Sequence, residues 1–186
     1  MEFLKNHEHV VEKLHKTFED LDHIYWDDRS YQEVKLYDVR NISFEEQILS
    51  AVRTVFAVVR DDNGRILLVE HPKRGWEICG GHLSQSEVEG RNLKGAVLRE
   101  VLEESGYDVD VQSLAFLAHV YNKENSINKE LGCLYPSHAL MATFFAQAKK
   151  QLSTKLYDDM KQAKFFDQEE AVTLVKSRNR AILESL

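Results

Sequence analysis

Cysteine is scarce, with only Cys79 and Cys133 among 186 residues. Two such thiols provide neither a disulfide framework nor the ligand spacing of a zinc site, and they read as reduced thiols of a cytoplasmic protein. Long apolar runs are missing as well. No stretch approaches the roughly 20 apolar residues that cross a bilayer. The N-terminal MEFLKNHEHVVEKLHK is charged throughout and lacks the apolar core of a signal peptide. The expected location is cytoplasmic, with no membrane partner. Nor is there a basic excess: 24 Lys and Arg face 31 Asp and Glu, a net charge of −7. That balance argues against long nucleic acid or an anionic membrane as partner. It leaves room for a phosphorylated small molecule, because a bound metal reverses the local charge. Repeats and low-complexity tracts are absent. What remains, 43% hydrophobic and 30% charged, suits one globular domain with a real core plus an extension.

Residues 1–24 show apolar positions at helical spacing (Val10, Val11, Leu14, Phe18, Leu21) and predict an amphipathic helix. Tyr31–Val39 alternates loosely, as a strand does, and Ser43-Phe-Glu-Glu46 has the form of a capping box. A boundary is placed near Ser50, which makes 1–50 a mainly helical extension. Arg53–Arg60 and Arg65–Glu70 flank the turn Asp61-Asp-Asn-Gly64 and predict a hairpin. Further strands are expected at Val109–Val120, Ala139–Ala148 and Ala163–Phe166. Helices are expected at 92–105 and from Asp167, as N-cap, to Leu186. Strands and helices mixed in this order predict an α+β sandwich around a mixed sheet.

The densest chemical signal lies between Gly80 and Tyr107. Six of the eight glycines fall between Gly75 and Gly106. Glu100, Glu103 and Glu104 stand at i, i+3 and i+4, within roughly one 100° arc of a helix. Val97, Leu98, Val101 and Leu102 are expected to form the opposite, buried face. Like charges at this spacing repel, so a cation is a natural neutraliser, and oxygen ligands alone suit Mg²⁺ or Mn²⁺ better than zinc.

Gly80-Gly81 followed by Arg99-Glu-Val-Leu-Glu-Glu-Ser-Gly-Tyr107 resembles the signature of the Nudix hydrolases: a glycine, five residues, a glutamate, seven residues, then REUxEExGU, with U a bulky apolar residue. Gly81 and Glu87 meet the first half. Eleven residues then separate Glu87 from Arg99, so the box, about 81–107, carries a four-residue insertion. Counting back from Arg99 puts Arg91 where the glutamate belongs. Trp76-Glu-Ile-Cys-Gly-Gly-His82 resembles the family's W-x-x-P-G-G-H, with Cys79 in place of proline. The resemblance spans about residues 51–186 and implies a Nudix-type α/β/α sandwich.

It also implies an activity: Mg²⁺-dependent hydrolysis of a diphosphate linkage in a nucleoside diphosphate derivative, with Mn²⁺ as a substitute cofactor. The partner is then a small nucleotide, and the extension covers the pocket or forms a homodimer interface. Gly80, Glu100, Glu103 and Glu104 would hold the metal. Arg99 would fix the rotamer of Glu103. The general base is Glu100 or a loop acid, with Asp159 favoured over Asp158, Glu124 and Glu130. Lys73, Arg74, Trp76, Gly81, His82 and Tyr121 are candidates for substrate contact. Two other readings share this fold. One is a non-catalytic nucleotide-sensing or interaction module. The other is isomerisation of an isopentenyl-type diphosphate, which would want a catalytic cysteine.

Overall fold

The run Val52–Arg60 is β-branched and apolar on both sides, and a strand of that composition belongs in the middle of a sheet. The computed structural model puts it there. The structure describes residues 13, 16–19, 21–43, 46–123, 127–128, 133–134, 137–156 and 160–186. Eleven strands are described: β1 Tyr25–Asp28, β2 Gln32–Asp38, β3 Val52–Arg60, β4 Ile66–His71, β5 Gly75–Glu77, β6 Cys79–His82, β7 Tyr107–Asn122, β8 Ile127–Asn128, β9 Cys133–Leu134, β10 His138–Gln151 and β11 Ala163–Phe166. Among the described residues five helices have both ends defined: α1 Glu46–Leu49, α2 Gln85–Gly90, α3 Leu93–Ser105, α4 Gln168–Leu174 and α5 Ser177–Glu184.

The main sheet runs β1-β2-β7-β10-β3-β4-β11, with β5 paired to β4 and β6 paired to β3. Only the β10–β3 pairing is parallel, so the described sheet is mixed. The β3–β4 turn forms where its residues dictate: the Asp61 carboxylate accepts from the backbone N–H groups of Asn63 and Arg65 at 3.0 and 2.9 Å. One face of the sheet packs Val55, Ala57, Leu67, Val69, Leu117 and Leu140 against Val97 and Val101 of α3. The other packs Val58, Ile66, Leu68 and Phe116 against Ala171 of α4 and Ile182 and Leu183 of α5. Two apolar faces, each covered by helix, make the α/β/α layering.

Two expectations are corrected. The first 50 residues are not a mainly helical extension. Residues 16–18 are helical, but β1 and β2 form a hairpin that extends the main sheet through β2–β7 pairing, Lys35 opposite His119 and Tyr37 opposite Leu117. Leu36 is fully buried beneath it. The expected helix at 1–24 otherwise falls largely on residues outside those described, as does part of the capping box at Ser43–Glu46. The single C-terminal helix is in fact two. Val175 is extended and buried in the core, and Ser177 is left-handed at φ 51°. Anchoring the Val175 side chain in the core competes with helix continuity and wins. Asp167 stands at the N-cap position of α4 without a side-chain capping bond.

Because Leu36 shares a core with Phe116 and Ile182, the N-terminal hairpin should melt with the rest of the domain. Leu36→Ala is expected to lose about 2–5 kcal/mol in one cooperative denaturant transition. A transition that leaves the main midpoint unmoved would show the hairpin to be an independent appendage.

Candidate active site

Strand β6 delivers the glycine pair against β3, with Gly80 opposite Phe56 and Gly81 opposite Val55. Gly80 has φ 153°, and a Cβ there would lie 2.2 Å from the Val55 carbonyl oxygen. No side chain fits. A Cβ on Gly81 would lie 2.7 Å from both carboxylate oxygens of Glu100. The bare backbone thus makes room for that carboxylate. The Gly80 N–H donates to Glu104 Oε2 at 2.8 Å.

Helix α3 begins at Asn92, whose side chain accepts from the Gly95 N–H at 3.0 Å, and ends at Gly106. Its orientation corrects the expected faces. Ala96, Val97, Glu100, Val101 and Glu104 form the buried stripe, at i, i+3 and i+4 steps. Glu100 and Glu104 are 6% and 5% exposed, whereas Leu98 and Leu102 are 40% and 38% exposed. The helix turns two carboxylates toward the glycine strand and two leucines toward solvent. That arrangement loses apolar burial and desolvates charge.

Arg99 holds the corner together. Its Nε and Nη2 donate to the two oxygens of Glu87, both at 2.9 Å, and Nη2 also donates to the His82 carbonyl at 3.0 Å. Nη1 lies 2.8 Å from Glu100 Oε1 and 3.1 Å from Glu103 Oε2. The Glu87 pairing explains how the longer spacing is accommodated. The added residues fold as α2, a short helix whose N-cap Ser84 and Glu87 exchange both bonds of a capping box. Arg91 ends it in the left-handed region at φ 52°. Glu87 therefore reaches Arg99 across twelve positions, while Arg91 is a helix cap. The Arg99 guanidinium holds the Glu87 carboxyl down at about 2, well below its ordinary value.

These groups open onto a cavity of about 1030 Å³ lined by Gly80, Gly81, His82, Arg99, Glu100 and Glu104 on one side and by Arg29, Arg74, Met141, Arg178 and Asn179 elsewhere. A family model described as the NUDIX domain matches residues 51–186. The chain belongs to the Nudix family. Among solved structures it is similar to the pyrophosphohydrolase BsRppH of Bacillus subtilis, at 24% identity and a TM-score of 0.55, covering 76% of this chain and 77% of that one. It is also similar to a MutT protein of Methanosarcina mazei, at 20% identity and a TM-score of 0.48, covering 72% and 91%. An ADP-ribose pyrophosphatase of Streptococcus suis follows at 18% and 0.46, covering 71% and 89%. No curated protein sequence matches the chain.

Within this Nudix domain the expected site residues separate. Gly80, Gly81, His82, Arg74, Arg99, Glu100 and Glu104 line the cavity. Glu103 is tied to it through Arg99, its side chain 36% exposed. Arg74 is also paired with Glu77, Nε to Oε2 at 3.0 Å. Three substrate candidates fall elsewhere. Lys73 is exposed at the β4–β5 turn. Trp76 packs edge-on against Phe166, centroids 4.8 Å apart, as part of the core margin. Tyr121 stacks on His138 in a separate cavity of about 740 Å³. Asp159, with Asp158, Glu124 and Glu130, lies outside the described residues. Cys79 is fully buried, and burial pushes its thiol well up, which suits packing rather than nucleophilic chemistry. Sequence reasoning missed Arg178, Asn179 and Arg29. Nothing in their local spacing marks them.

Among the described residues, no three His, Cys, Asp or Glu side chains are gathered closely enough to hold a metal ion as they stand. The donor set nonetheless suits a hard divalent cation. Arg99 is one positive charge against three carboxylates, and Glu104 adds another beside Gly80. All the donors are oxygens, and Gly81 leaves the Glu100 carboxylate a cradle that a Cβ would fill.

The depressed Glu87 carboxyl has a signed consequence. Its folded value lies below its unfolded one, so its stabilisation is complete above about pH 4.5 and is lost as pH falls through about 2. Unfolding free energies of wild type and Glu87→Gln, from denaturant titration, should differ by on the order of 2–3 kcal/mol near neutral pH. The gap should close toward pH 2. A gap that is constant across this range would show that the ion pair does not carry the effect.

Proposed function

We propose that the protein is a divalent-metal-dependent pyrophosphohydrolase acting on a diphosphate linkage in a small nucleoside diphosphate derivative. The observation that carries this reading is the burial of Glu100 and Glu104 against the side-chain-free Gly80-Gly81 strand, at the wall of a cavity large enough for a nucleotide. Glu100, Glu103 and Glu104, with a Gly80 carbonyl, would hold the cation. Bound there, it supplies charge neutralisation for the phosphates and lowers the pKa of water.

The protein's own groups set the rest. Arg99 fixes Glu103 and Glu100 in place, so their rotamer freedom is spent before substrate arrives. Glu100 accepts the proton of the attacking water. The water oxygen bonds to phosphorus, the bridging P–O bond breaks, and the departing phosphate keeps its electron pair. The missing side chain at Gly81 lets the Glu100 carboxylate sit against the backbone at the cavity wall. Family membership supports the reaction class. The nucleotide is set by residues outside the box.

A panel of nucleoside triphosphates, ADP-sugars and dinucleoside polyphosphates should reveal one class hydrolysed with Mg²⁺ or Mn²⁺, and chelation should abolish turnover. Glu103→Gln is expected to lower kcat roughly 100-fold or more, with the melting temperature nearly unchanged because the side chain is partly exposed. Full turnover in that variant would remove Glu103 from the site. Binding without turnover across the whole panel would favour a sensing module.

A further inference from the structure

The cavity wall also carries a guanidinium that the fold satisfies only in part. Arg178, at the start of α5, lines the cavity with Asn179 and Met141. Its charged carbon lies 4.0 Å from the centroid of the Phe56 ring. Nη1 points at the Met141 thioether, a weak acceptor, and Nη2 is 3.4 Å from the Asn179 side-chain oxygen. Nε is sealed from solvent with no hydrogen-bond partner. Among the described residues no carboxylate lies within salt-bridge distance of Arg178. Desolvation pulls its pKa down to about 10.

The fold goes to some lengths to put it there. The C-terminal helix is broken, Ser177 takes a left-handed conformation, and Tyr25 packs on the core cluster that holds Ile182 and Leu183 of α5. Tyr25 belongs to β1, outside the stretch that matches the family. The N-terminal hairpin thus shares a core with the helix carrying Arg178, and it also contributes Arg29 to the cavity lining. A half-buried cation with a sealed, unpartnered Nε is costly when its carboxylate neighbour Glu77 acts only at a distance and is itself paired with Arg74. An apolar side chain would fill the space over Phe56 without that cost. A bound anion removes the penalty, and the forked guanidinium suits phosphate oxygens.

We propose that Arg178 is a substrate-binding residue that takes a phosphate group of the substrate across the cavity from Glu100 and Glu104. The assignment rests on the hydrolase reading for the identity of the ligand, and it makes the α5 turn and the N-terminal hairpin part of the specificity apparatus. A diphosphate chain is then held from both sides, by the carboxylate corner with its cation and by Arg178.

The test is calorimetric titration of the full chain with methylenediphosphonate, a non-hydrolysable diphosphate, with and without Mg²⁺. Arg178→Gln and Arg178→Met should weaken binding at least about tenfold, and Arg178→Lys should recover part of it. Melting temperatures report whether the variants fold, and Met keeps the packing on Phe56. In the unmutated protein, methylenediphosphonate should slow phenylglyoxal labelling of Arg178, read by peptide mass spectrometry. Affinity within about twofold of wild type in both Gln and Met variants, or unprotected labelling, would overturn the assignment. So would failure of the wild type to bind the probe. Turnover is scored separately: hydrolysis that is indifferent to Arg178 sinks this inference alone, while Arg178-dependent binding without hydrolysis sinks the enzyme reading alone.

Discussion

Crowding carboxylates into a half-buried corner requires a counter-charge, and in this chain the counter-charge is Arg99. Its guanidinium spans Glu87 of α2, Glu100 and Glu103 of its own helix, and the His82 carbonyl of β6. Three elements that the chain delivers separately are locked into one geometry by a single planar fork. Loss of that fork would leave adjacent carboxylates facing each other at low dielectric. The positions of the short insertion helix, the glycine strand and the acidic helix therefore all depend on it.

The arrangement costs stability. Leu98 and Leu102 are left in water while Glu100 and Glu104 turn inward, the reverse of what apolar burial favours. Gly80 and Gly81 forgo side chains to make the space. The compensation comes from the sheet, where Ile66, Leu67, Leu68 and Val69 are all fully buried between two helical layers. A rigid, doubly covered sheet can carry a strained and charged edge.

Much of this was legible in the residues. The β3–β4 hairpin followed from its Asp-Asn-Gly turn, β11 from its four-residue run, and α3 with its end at Gly106 from periodicity and glycine. What escaped did so for physical reasons. Arc geometry placed three glutamates together, yet it carried no information on which way the helix faces, and the glycine strand decided that. Spacing arithmetic left Glu87 without a partner, because α2 folds the added residues away and restores in space what the count had lost. The N-terminal strands have mixed polarity, since β2 gains its burial only on pairing with β7. The break before α5 contains no glycine or proline, so only the burial of Val175 reveals it. Arg178 came into view with that break.

The hydrolase reading depends on the carboxylates around Gly80 and Gly81 forming a divalent-cation site. Titration with Mn²⁺, followed by electron paramagnetic resonance, measures this most directly. Mn²⁺ should bind the wild type saturably, be competed by Mg²⁺ and bind roughly tenfold or more weakly in Glu100→Gln and in Glu104→Gln. Mn²⁺ affinity unchanged in both variants, with both folded, would contradict it.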